Sequence, residues 1–415
     1  MSTRRKCHCH NDKIAVFTAT NPGTGVTGAT APTCPGVLPS VPSDNEILMF
    51  RSSESGKLTE IDREKTGGLG TGPGLTFCED PLGSQGSITI SSNGKFLFVV
   101  NAGTGVGTVS SMRIYQDKIK HIDTVSSGGV FPVSCASYKN LLYVLNGGAD
   151  TNVTAFSISE DGKLQEIGVK ANFGPITMTN GQPDFLFEFV KNPAQVGFSP
   201  DGRKLVVSVK DYAGPVNPGS LYVFDVLANG DLVNMVKNNS AGRLPWGFSF
   251  YKKYLIVAEI FGQNTPDLDP TGKGCASSYL LNNDNTLTPI SISVPNSQTA
   301  SCWLVVANNF AYVSNSRLVP GTISKYRIQE NGQIVLVNGV EFSANTHILD
   351  TVAVNGKYLY VICPGALAVE ANSPVNGSIK VLKISKHGGN LKLVQTLDLV
   401  DPLSGAMGIA AINFD

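Results

Sequence analysis

The chain has 415 residues, of which 41% are hydrophobic and 15% charged, so it can bury a large core and is not intrinsically disordered. Basic and acidic residues balance at 32 each and no charged run stands out, which argues against nucleic acid or an anionic membrane surface as the partner. No apolar stretch approaches the roughly 18–20 residues of a membrane-spanning helix. The basic N-terminus has no apolar segment behind it, so no signal peptide is predicted. The compartment stays open: cytoplasmic as written, secreted if a leader was removed.

Residues 1–13 are predicted to be a flexible tail ahead of a single domain that spans residues 14–415. The tail contains Cys7-His8-Cys9-His10, whose alternation is too tight for the usual Cys-x2-Cys zinc spacing. It also lies on a terminus that nothing anchors. No metal site is therefore predicted.

Eight cysteines in a chain of this length do not make a disulfide scaffold. Cys135, Cys302 and Cys363 fall in predicted strands and are expected to be buried thiols. Cys34 and Cys78 fall in loops, where they could pair in an oxidising compartment.

Two glycine-rich stretches look like nucleotide-binding motifs but lack the context that such motifs need. Gly23-Thr-Gly25-Val-Thr-Gly28 matches the dinucleotide fingerprint, yet prolines follow where the motif requires a helix to face the pyrophosphate. Gly272-Lys273-Gly274 lacks both the Ser or Thr after the lysine and the upstream glycine of a phosphate loop. No cofactor is therefore predicted.

Residues 83–125 form the unit that the rest of the chain repeats. Residues 87–90 alternate small or polar with apolar side chains, and residues 96–100 are a continuous apolar run typical of a strand covered on both faces. Residues 108–115 alternate again, and residues 119–125 close the unit. Four short antiparallel strands with a buried second strand are typical of one propeller blade.

The same four-strand pattern recurs along the chain at a period of roughly 40 to 65 residues, which indicates a propeller or a solenoid. The absence of a helical pattern favours the propeller. The recurrences lie in residues 132–168, 192–235, 244–291, 300–339 and 347–397.

The first repeat, in residues 14–64, supplies only the second, third and fourth strands of a blade. Asp80-Pro-Leu-Gly-Ser-Gln-Gly86 leads into the inner strand of the next blade, and Asp401-Pro-Leu-Ser-Gly-Ala-Met-Gly408 is nearly a copy that leads into residues 409–414. The C-terminal strand is therefore predicted to complete the first blade, which removes the open edge of a linear array. The sequence thus predicts an all-β fold, a seven-bladed β-propeller closed by its own termini.

These motifs carry a family resemblance. Gly67-Gly-Leu-Gly-Thr-Gly72, the motif at Asp80–Gly86, Phe198-Ser-Pro-Asp-Gly202 and the Tyr-Val-x-Asn type strands resemble the lactonase family of seven-bladed propellers. That family includes 6-phosphogluconolactonases and the fungal 3-carboxy-cis,cis-muconate lactonizing enzyme. The resemblance covers nearly the whole chain and implies a site at the mouth of the central channel. Loops that lead into the innermost strands and loops that leave the second strands would build it.

The family's catalytic pattern matches this sequence incompletely. Its acid/base histidine, five residues before the Ser-Pro-Asp-Gly turn, falls on Ala194, beside Gln195. Its arginine in a His-Pro-Arg-Trp type segment falls on Trp246. Among the five histidines, His347 is the one expected to approach the channel, because it lies just before an inner strand.

Two further family positions are displaced by one residue. The family's glutamate falls on Ile260, next to Glu259, and its later arginine falls on Ser316, next to Arg317. A one-residue shift turns a strand side chain to the other face, but it matters less in a loop. Glu259 and Arg317 are therefore still expected to reach the channel.

Equivalent positions in the blades predict which side chains line the mouth. The predicted catalytic residues are Glu259 or His347 as acid/base and Arg317 as the clamp on developing negative charge. The predicted substrate-binding residues are Gln85, Asn101, Asn146, Gln195, Lys210 with its neighbour Asp211, Trp246, Asn315 and Asp350. Structural roles are the alternative: backbone hydrogen bonding for the asparagines, core packing for Trp246 and charge pairing for the ionic side chains.

Two functions are predicted as alternatives. The first is a lactonase- or cycloisomerase-type enzyme, a hydrolase or an isomerase, that acts on a small cyclic oxygenated or carboxylated substrate without a metal or nucleotide cofactor. The second is a non-catalytic propeller whose polar mouth binds a small molecule, a glycan or a protein partner. Titratable groups that converge in the mouth favour the enzyme, whereas a mouth filled by side chains, or a large apolar outer patch, favours the binding protein. The oligomeric state is left open.

Overall fold

The computed structural model describes residues 13–21, 23–25, 40–71, 80, 82–103, 106–148, 150–175, 178–179, 182–183, 191–210, 218–263, 271–316, 319–364, 366–368, 373–375, 377–399 and 407–414. Every regular element in these ranges is a β-strand, and seven antiparallel sheets stand in a ring as a seven-bladed β-propeller. This confirms the predicted fold. The same ranges contain no helix of the length and apolarity that crossing a bilayer requires. Cys7–His10, Cys34, Cys78, Asp211 and Arg317 lie outside the described residues.

Each blade has four main strands, taken here from the channel outwards. In blades 1 to 7 the inner strands are β33 (Met407–Phe414), β5 (Ile88–Ile90), β9 (Pro132–Tyr138), β15 (Pro193–Phe198), β19 (Arg243–Tyr251), β23 (Ser301–Ala307) and β27 (Thr351–Val354). The second strands are β1 (Lys13–Ala19), β6 (Phe96–Asn101), β10 (Leu141–Asn146), β16 (Lys204–Val209), β20 (Tyr254–Phe261), β24 (Phe310–Asn315) and β28 (Tyr358–Cys363).

The outer half of each blade follows the same order. The third strands are β3 (Ser40–Ser52), β7 (Thr108–Ile114), β11 (Asp150–Ile158), β17 (Ser220–Val226), β21 (Cys275–Leu281), β25 (Gly321–Ile328) and β31 (Ser378–Ile384). The outermost strands are β4 (Leu58–Gly70), β8 (Ile119–Ser126), β12 (Leu164–Pro175), β18 (Leu232–Asn239), β22 (Leu287–Pro295), β26 (Ile334–Ala344) and β32 (Leu391–Asp398). Short strands complete the set: β2 (Gly23–Gly25) pairs with β3, β13 (Met178–Thr179) with β14 (Gln182–Pro183), and β29 (Ala366–Ala368) with β30 (Ser373–Val375).

The C-terminal strand closes the ring, as predicted from the repeated motif. β33 pairs antiparallel with β1, with partners that run from Lys13↔Phe414 to Ala19↔Met407. The hydroxyl of Thr18 donates to the carbonyl of Gly408 at 2.8 Å. β33 also contacts the neighbouring inner strands β27 and β5. The two ends of the described chain therefore hold the ring together as one blade.

The second strands carry the core. Every residue of β6, β10, β24 and β28 is buried, as the continuous apolar runs predicted. Their side chains pack between neighbouring blades in large clusters. Cys135, Cys302 and Cys363 are buried thiols that form no disulfide within the described residues, and their burial is as predicted.

Tight turns join inner strands to second strands on one face of the ring. In blade 2, the amide of Gly94 donates to the carbonyl of Ser91 at 2.8 Å, and Gly94 has φ +69°, a conformation that glycine adopts without steric cost. Gly202 makes the same bond to Ser199 in blade 4. The opposite face, where inner strands begin and second strands end, is called the mouth face below.

Candidate functional site at the mouth face

Residues 82–87, called the channel segment here, cross the central channel. Gln85 lies just ahead of blade 2, yet its amide donates to Ala194 O of blade 4 at 3.0 Å. Its side chain pairs with the main chain of Leu304 in blade 6, with Nε2 to O at 2.8 Å and N to Oε1 at 2.9 Å. The indole of Trp303 donates to Ser84 O at 2.8 Å. One short segment therefore bridges the inner strands of opposite blades.

The flanks of the channel segment are held by two further blades. Ser84 Oγ donates to Val133 O at 2.7 Å, and Cys135 N donates to Gly86 O at 2.8 Å, both in blade 3. The amide of Gly86 in turn approaches Asp350 Oδ2 of blade 7 at 3.4 Å. Because these residues leave the sheet, β5 has three residues only. The described part of the channel is thus occupied by the chain itself at this level.

Lys210 packs against the channel segment. It follows β16, is completely buried, and donates from Nζ to Gly83 O at 2.8 Å. Its Nζ lies 4.0 Å from the centroid of a Trp246 ring. Burial lowers the pKa of Lys210 to about 7, and the charge of the Asp80 carboxylate opposes that shift. Lys210, Trp246 and Gln85, three predicted binding residues, are therefore brought together around one segment.

Asp350 lies on the opposite flank of the channel segment. Its Oδ1 accepts from Thr351 N at 2.8 Å, and its Oδ2 faces Gly86 N. The side chain is 4% exposed. Burial raises the pKa of Asp350 to about 7, although amide donors from Gly86, Thr351 and Ile409 favour the carboxylate. This carboxyl therefore exchanges its proton near neutral pH.

His347 lies at the rim between blades 6 and 7, on the loop that leads into β27. It is half-buried, and its Nδ1 lies 2.5 Å from Ser316 O. A carbonyl oxygen only accepts, so Nδ1 carries the hydrogen, and in the neutral ring Nε2 carries the lone pair. Ser316 immediately precedes Arg317 in the chain. The imidazole is thus bonded to the residue that precedes Arg317 in the sequence.

Four other predicted site residues occupy equivalent positions near the ends of second strands, and we call them clip residues. Each faces the start of its third strand: Asn101↔Thr108, Asn146↔Asn152, Glu259↔Cys275 and Asn315↔Thr322. Each also contacts a hydroxyl two residues further along that strand: Ser110, Thr154, Ser277 and Ser324. Their side chains therefore point along the blade, between the second and third strands.

The clip residues also reach the preceding blade. Asn101 Oδ1 accepts from Asn45 Nδ2 at 3.0 Å and from Thr66 Oγ1 at 2.8 Å, both in blade 1. Asn315 Oδ1 accepts from Asn296 Nδ2 at 3.2 Å, just after blade 5. These contacts join neighbouring blades at the mouth face. Asparagines at these places act as inter-blade connectors in the described structure.

Glu259 is the clip residue of blade 5 and is completely buried. Its two oxygens accept five hydrogen bonds, from Ser240 Oγ (2.9 Å), Gly242 N (2.8 Å), Tyr279 OH (3.3 Å), Ser277 Oγ (2.7 Å) and Cys275 Sγ (3.4 Å). Burial raises the pKa of Glu259, and the donors, Ser277 foremost, oppose the rise. The carboxyl group faces its own blade rather than the channel segment.

Gln195 repeats the arrangement of Gln85 between adjacent blades. Its Oε1 accepts from Phe248 N at 2.7 Å, and its Nε2 donates to Phe248 O at 3.2 Å. A side-chain amide that bonds to both the N–H and the C=O of one residue takes the place of a neighbouring strand's backbone. Both glutamines therefore join inner strands.

Two features were missed by sequence reasoning. The Asp80–Gly86 motif leads into β5, as predicted, but its contacts with the inner strands of other blades are not predicted from the sequence. Its glycines and small polar residues were the available signal, since close approach of two backbones favours small side chains. The partners Asn45 and Thr66 of the first clip gave no pattern of their own. In the described ranges no group of three His, Cys, Asp or Glu side chains could hold a metal ion.

The similarity of this chain to known proteins is one of fold. No family model and no curated protein matches the chain. Two solved structures provisionally assigned as 6-phosphogluconolactonases, from Bacteroides fragilis and Bacteroides uniformis, align at TM-score 0.63 and 17% identity, over 97% of this chain and 98% and 100% of theirs. A periplasmic gluconolactonase from Pseudomonas aeruginosa aligns at TM-score 0.59 and 15% identity, over 96% of this chain and 99% of its own. The chain has the fold of lactonase-like seven-bladed propellers, which confirms the predicted resemblance in fold.

Proposed function

We propose that this protein is a lactonase-type hydrolase that opens a small oxygenated ring ester at the rim of the mouth between blades 6 and 7. The observation that carries the proposal is the bond from His347 Nδ1 to the carbonyl of Ser316, the residue before Arg317. It joins one predicted acid/base to the sequence neighbour of the predicted clamp. The lactonase names of the structural neighbours supply the reaction class.

The proposed reaction uses the His347 tautomer in which Nδ1 carries the hydrogen and Nε2 the lone pair. His347 Nε2 takes a proton from water, and the resulting hydroxide oxygen attacks the carbonyl carbon of the ring ester. The positive charge of Arg317 stabilises the oxyanion of the tetrahedral intermediate. When the carbon–oxygen bond of the ring breaks, the leaving alkoxide takes the proton back from the imidazolium. The product is the open hydroxy acid, and no oxidant or reductant is needed.

Glu259 has no part in this proposal because its oxygens are occupied inside blade 5. Lys210, Trp246 and Asp350 are assigned to holding the channel segment, which forms the floor of the mouth. Reaction at the rim, above that floor, agrees with the half-buried state of His347.

The test is proton release at constant pH with a panel of sugar lactones and muconate-type lactones. His347→Gln and Arg317→Ala should each lower kcat/KM at least about 100-fold, the scale of general acid–base and oxyanion effects. The matched control is His387→Gln, at an exposed histidine beside β32, and it should keep full activity. Turnover that survives both site substitutions would overturn the assignment of these residues.

A second candidate function is a non-catalytic propeller that binds a ligand at the mouth face. The channel segment favours it, because the chain itself fills the described part of the channel. Calorimetry on the same lactone panel separates the two functions. Saturable heat with no turnover on any lactone supports the binding protein, and turnover of a lactone excludes a non-catalytic propeller.

A further inference from the structure

A cleft of about 580 Å³ opens over blade 3 at the mouth face, away from the channel segment. This volume lies in the range of roughly 300–1,000 Å³ that is typical of small-molecule sites. The cleft is lined by Gly128, Gly129, Val130, Asp150, Thr151, Asn152, Val169, Asn172 and Gly174. These residues come from the segment before β9, the start of β11 and the end of β12.

Blade 3 departs from the repeat at this place. The clip oxygens of Asn101, Glu259 and Asn315 accept hydrogen bonds from side chains of the preceding blade or just after it. Asn146, the clip of blade 3, is completely buried, and its Oδ1 has no hydrogen-bond partner in the described part of the chain. In blades 5 and 6 the segment before the inner strand supplies such a donor, from Ser240 and Asn296, whereas the corresponding segment of blade 3 reads Ser127-Gly128-Gly129.

The two glycines explain both the missing donor and the cleft. A Cβ at Gly129 would lie 2.6 Å from Asn146 Cγ, so no larger residue fits above the amide. Gly128 and Gly129 bring peptide groups to the cleft and no side chain. Asn146 lies beneath these glycines and does not itself line the cleft, so the cleft floor offers the peptide groups of Gly128 and Gly129.

The described walls of the cleft carry uncharged and acidic hydrogen-bonding groups. Asp150 and Asn172 are exposed, and the Thr151 hydroxyl, bonded to Gly174 O, ties the two walls together. A carboxylate accepts two hydroxyls, and an amide both donates and accepts. Among the described lining residues there is no lysine or arginine, so none of these residues compensates the negative charge of Asp150 toward an anion.

We propose that this cleft is a second site, which binds an uncharged polyhydroxylated molecule such as a neutral sugar. Its hydroxyls bond to Asp150 and Asn172 and to the peptide groups of Gly128 and Gly129. Val130 and Val169 offer apolar surface to the C–H face of the ring. The site is separate from His347 and does not depend on the proposed hydrolysis.

The test is calorimetric titration of the full chain with glucose and maltose, and with gluconate as the charged comparison. Asp150→Ala should weaken binding at least about tenfold through the lost charged acceptor. Asn172→Trp should abolish it by filling the cleft. The matched control is Glu160→Ala, an exposed acid in the turn at the other end of blade 3, which should bind as the wild type does.

Three outcomes would overturn the proposal. They are no saturable heat with either sugar, binding unchanged in both cleft variants, and tighter binding of gluconate than of glucose. Sugar binding that His347→Gln removes and the cleft variants keep would also refute it, by assigning the ligand to the mouth rim. Lactone turnover is expected to be unchanged in the cleft variants, so the two proposals can fail independently.

Discussion

Glu259 offers the sharpest test of how the mouth face is built. Glu259 is predicted from the sequence to be catalytic, whereas in the structure both of its oxygens accept hydrogen bonds from donors of blade 5 and of the segment before it. The two roles predict opposite behaviour for one substitution. A structural acceptor should matter for stability and leave turnover intact, while a catalytic acid should do the reverse.

The magnitude follows from the donors. In Glu259→Ala the amide of Gly242, which cannot turn away, loses its acceptor, and a buried donor without a partner costs about 1–3 kcal/mol. The one lost methylene adds about 0.8 kcal/mol. The hydroxyls of Ser240, Ser277 and Tyr279 can rotate to other acceptors. The free energy of unfolding should therefore fall by about 2–4 kcal/mol.

Glu259→Gln should cost much less. Its amide oxygen can still accept from Gly242 N, and its amide nitrogen can donate to Ser277 Oγ, since a hydroxyl also accepts. Because the folded pKa of Glu259 is raised, its stabilising contribution is present below the unfolded pKa, 4.5, and is lost as the pH rises through the folded value. The glutamine variant has no such loss, so its free energy of unfolding relative to that of the wild type should increase as the pH rises.

Urea unfolding midpoints at several pH values measure both the loss in Glu259→Ala and the pH dependence of Glu259→Gln, provided that the m-value equals that of the wild type. Turnover per folded molecule on the lactone panel is the second readout. If Glu259→Gln unfolds as the wild type does but loses turnover, the structural assignment is refuted and Glu259 returns to the catalytic machinery.

Three further predictions concern the other buried polar groups. In the wild type, the raised pKa of Asp350 should lower the free energy of unfolding as the pH rises from 3.8 to about 7, by up to about 4 kcal/mol at 1.36 kcal/mol per pKa unit. This decline should disappear in Asp350→Asn. A pH profile of urea midpoints that is the same in both proteins would contradict the prediction. Glu341 (8% exposed) forms an ion pair with Lys325 (2% exposed) at 2.9 Å. Glu341→Ala should therefore lower the free energy of unfolding by about 3–5 kcal/mol in the same assay, because it leaves a buried charge unpaired. A loss below about 1 kcal/mol, which is typical of an exposed ion pair, would contradict the prediction. Gly247→Ala places a Cβ 1.9 Å from Gln85 Oε1, so its cost and that of Gln85→Ala should be less than additive in a double-mutant cycle, and full additivity would show that the two sites are independent.

The ring could be predicted because its signals are local and repeated. The apolar run in β6 and its counterparts fixed which strand of each blade is buried on both faces. The near copy of the Asp80–Gly86 motif before β33 fixed how the ring closes. Neither inference needed the direction of any single side chain.

The orientation of the polar side chains could not be predicted, because bulges lie beside them. Register shifts occur between Leu145 and Asn146, between Pro193 and Gln195, and between Pro245 and Phe248. One extra residue turns a side chain from the channel to the neighbouring blade, and no pattern of alternation reveals it. The predicted positions of Asn146 and Gln195 along their strands agree with the structure. The direction of their side chains was settled by these bulges.

Departures from the repeat say more about function here than the repeat itself. Three clips are asparagines and one is glutamate, and the glutamate stands where five donors converge, so its charge is explained by structure. Asn146 is the departure that structure does not explain, because its oxygen stays without a donor beneath two glycines. Burying such an oxygen costs free energy unless something outside the described chain bonds to it. The same two glycines also line the cleft of blade 3, which can be tested as a ligand site in its own right, whatever reaction the mouth rim performs.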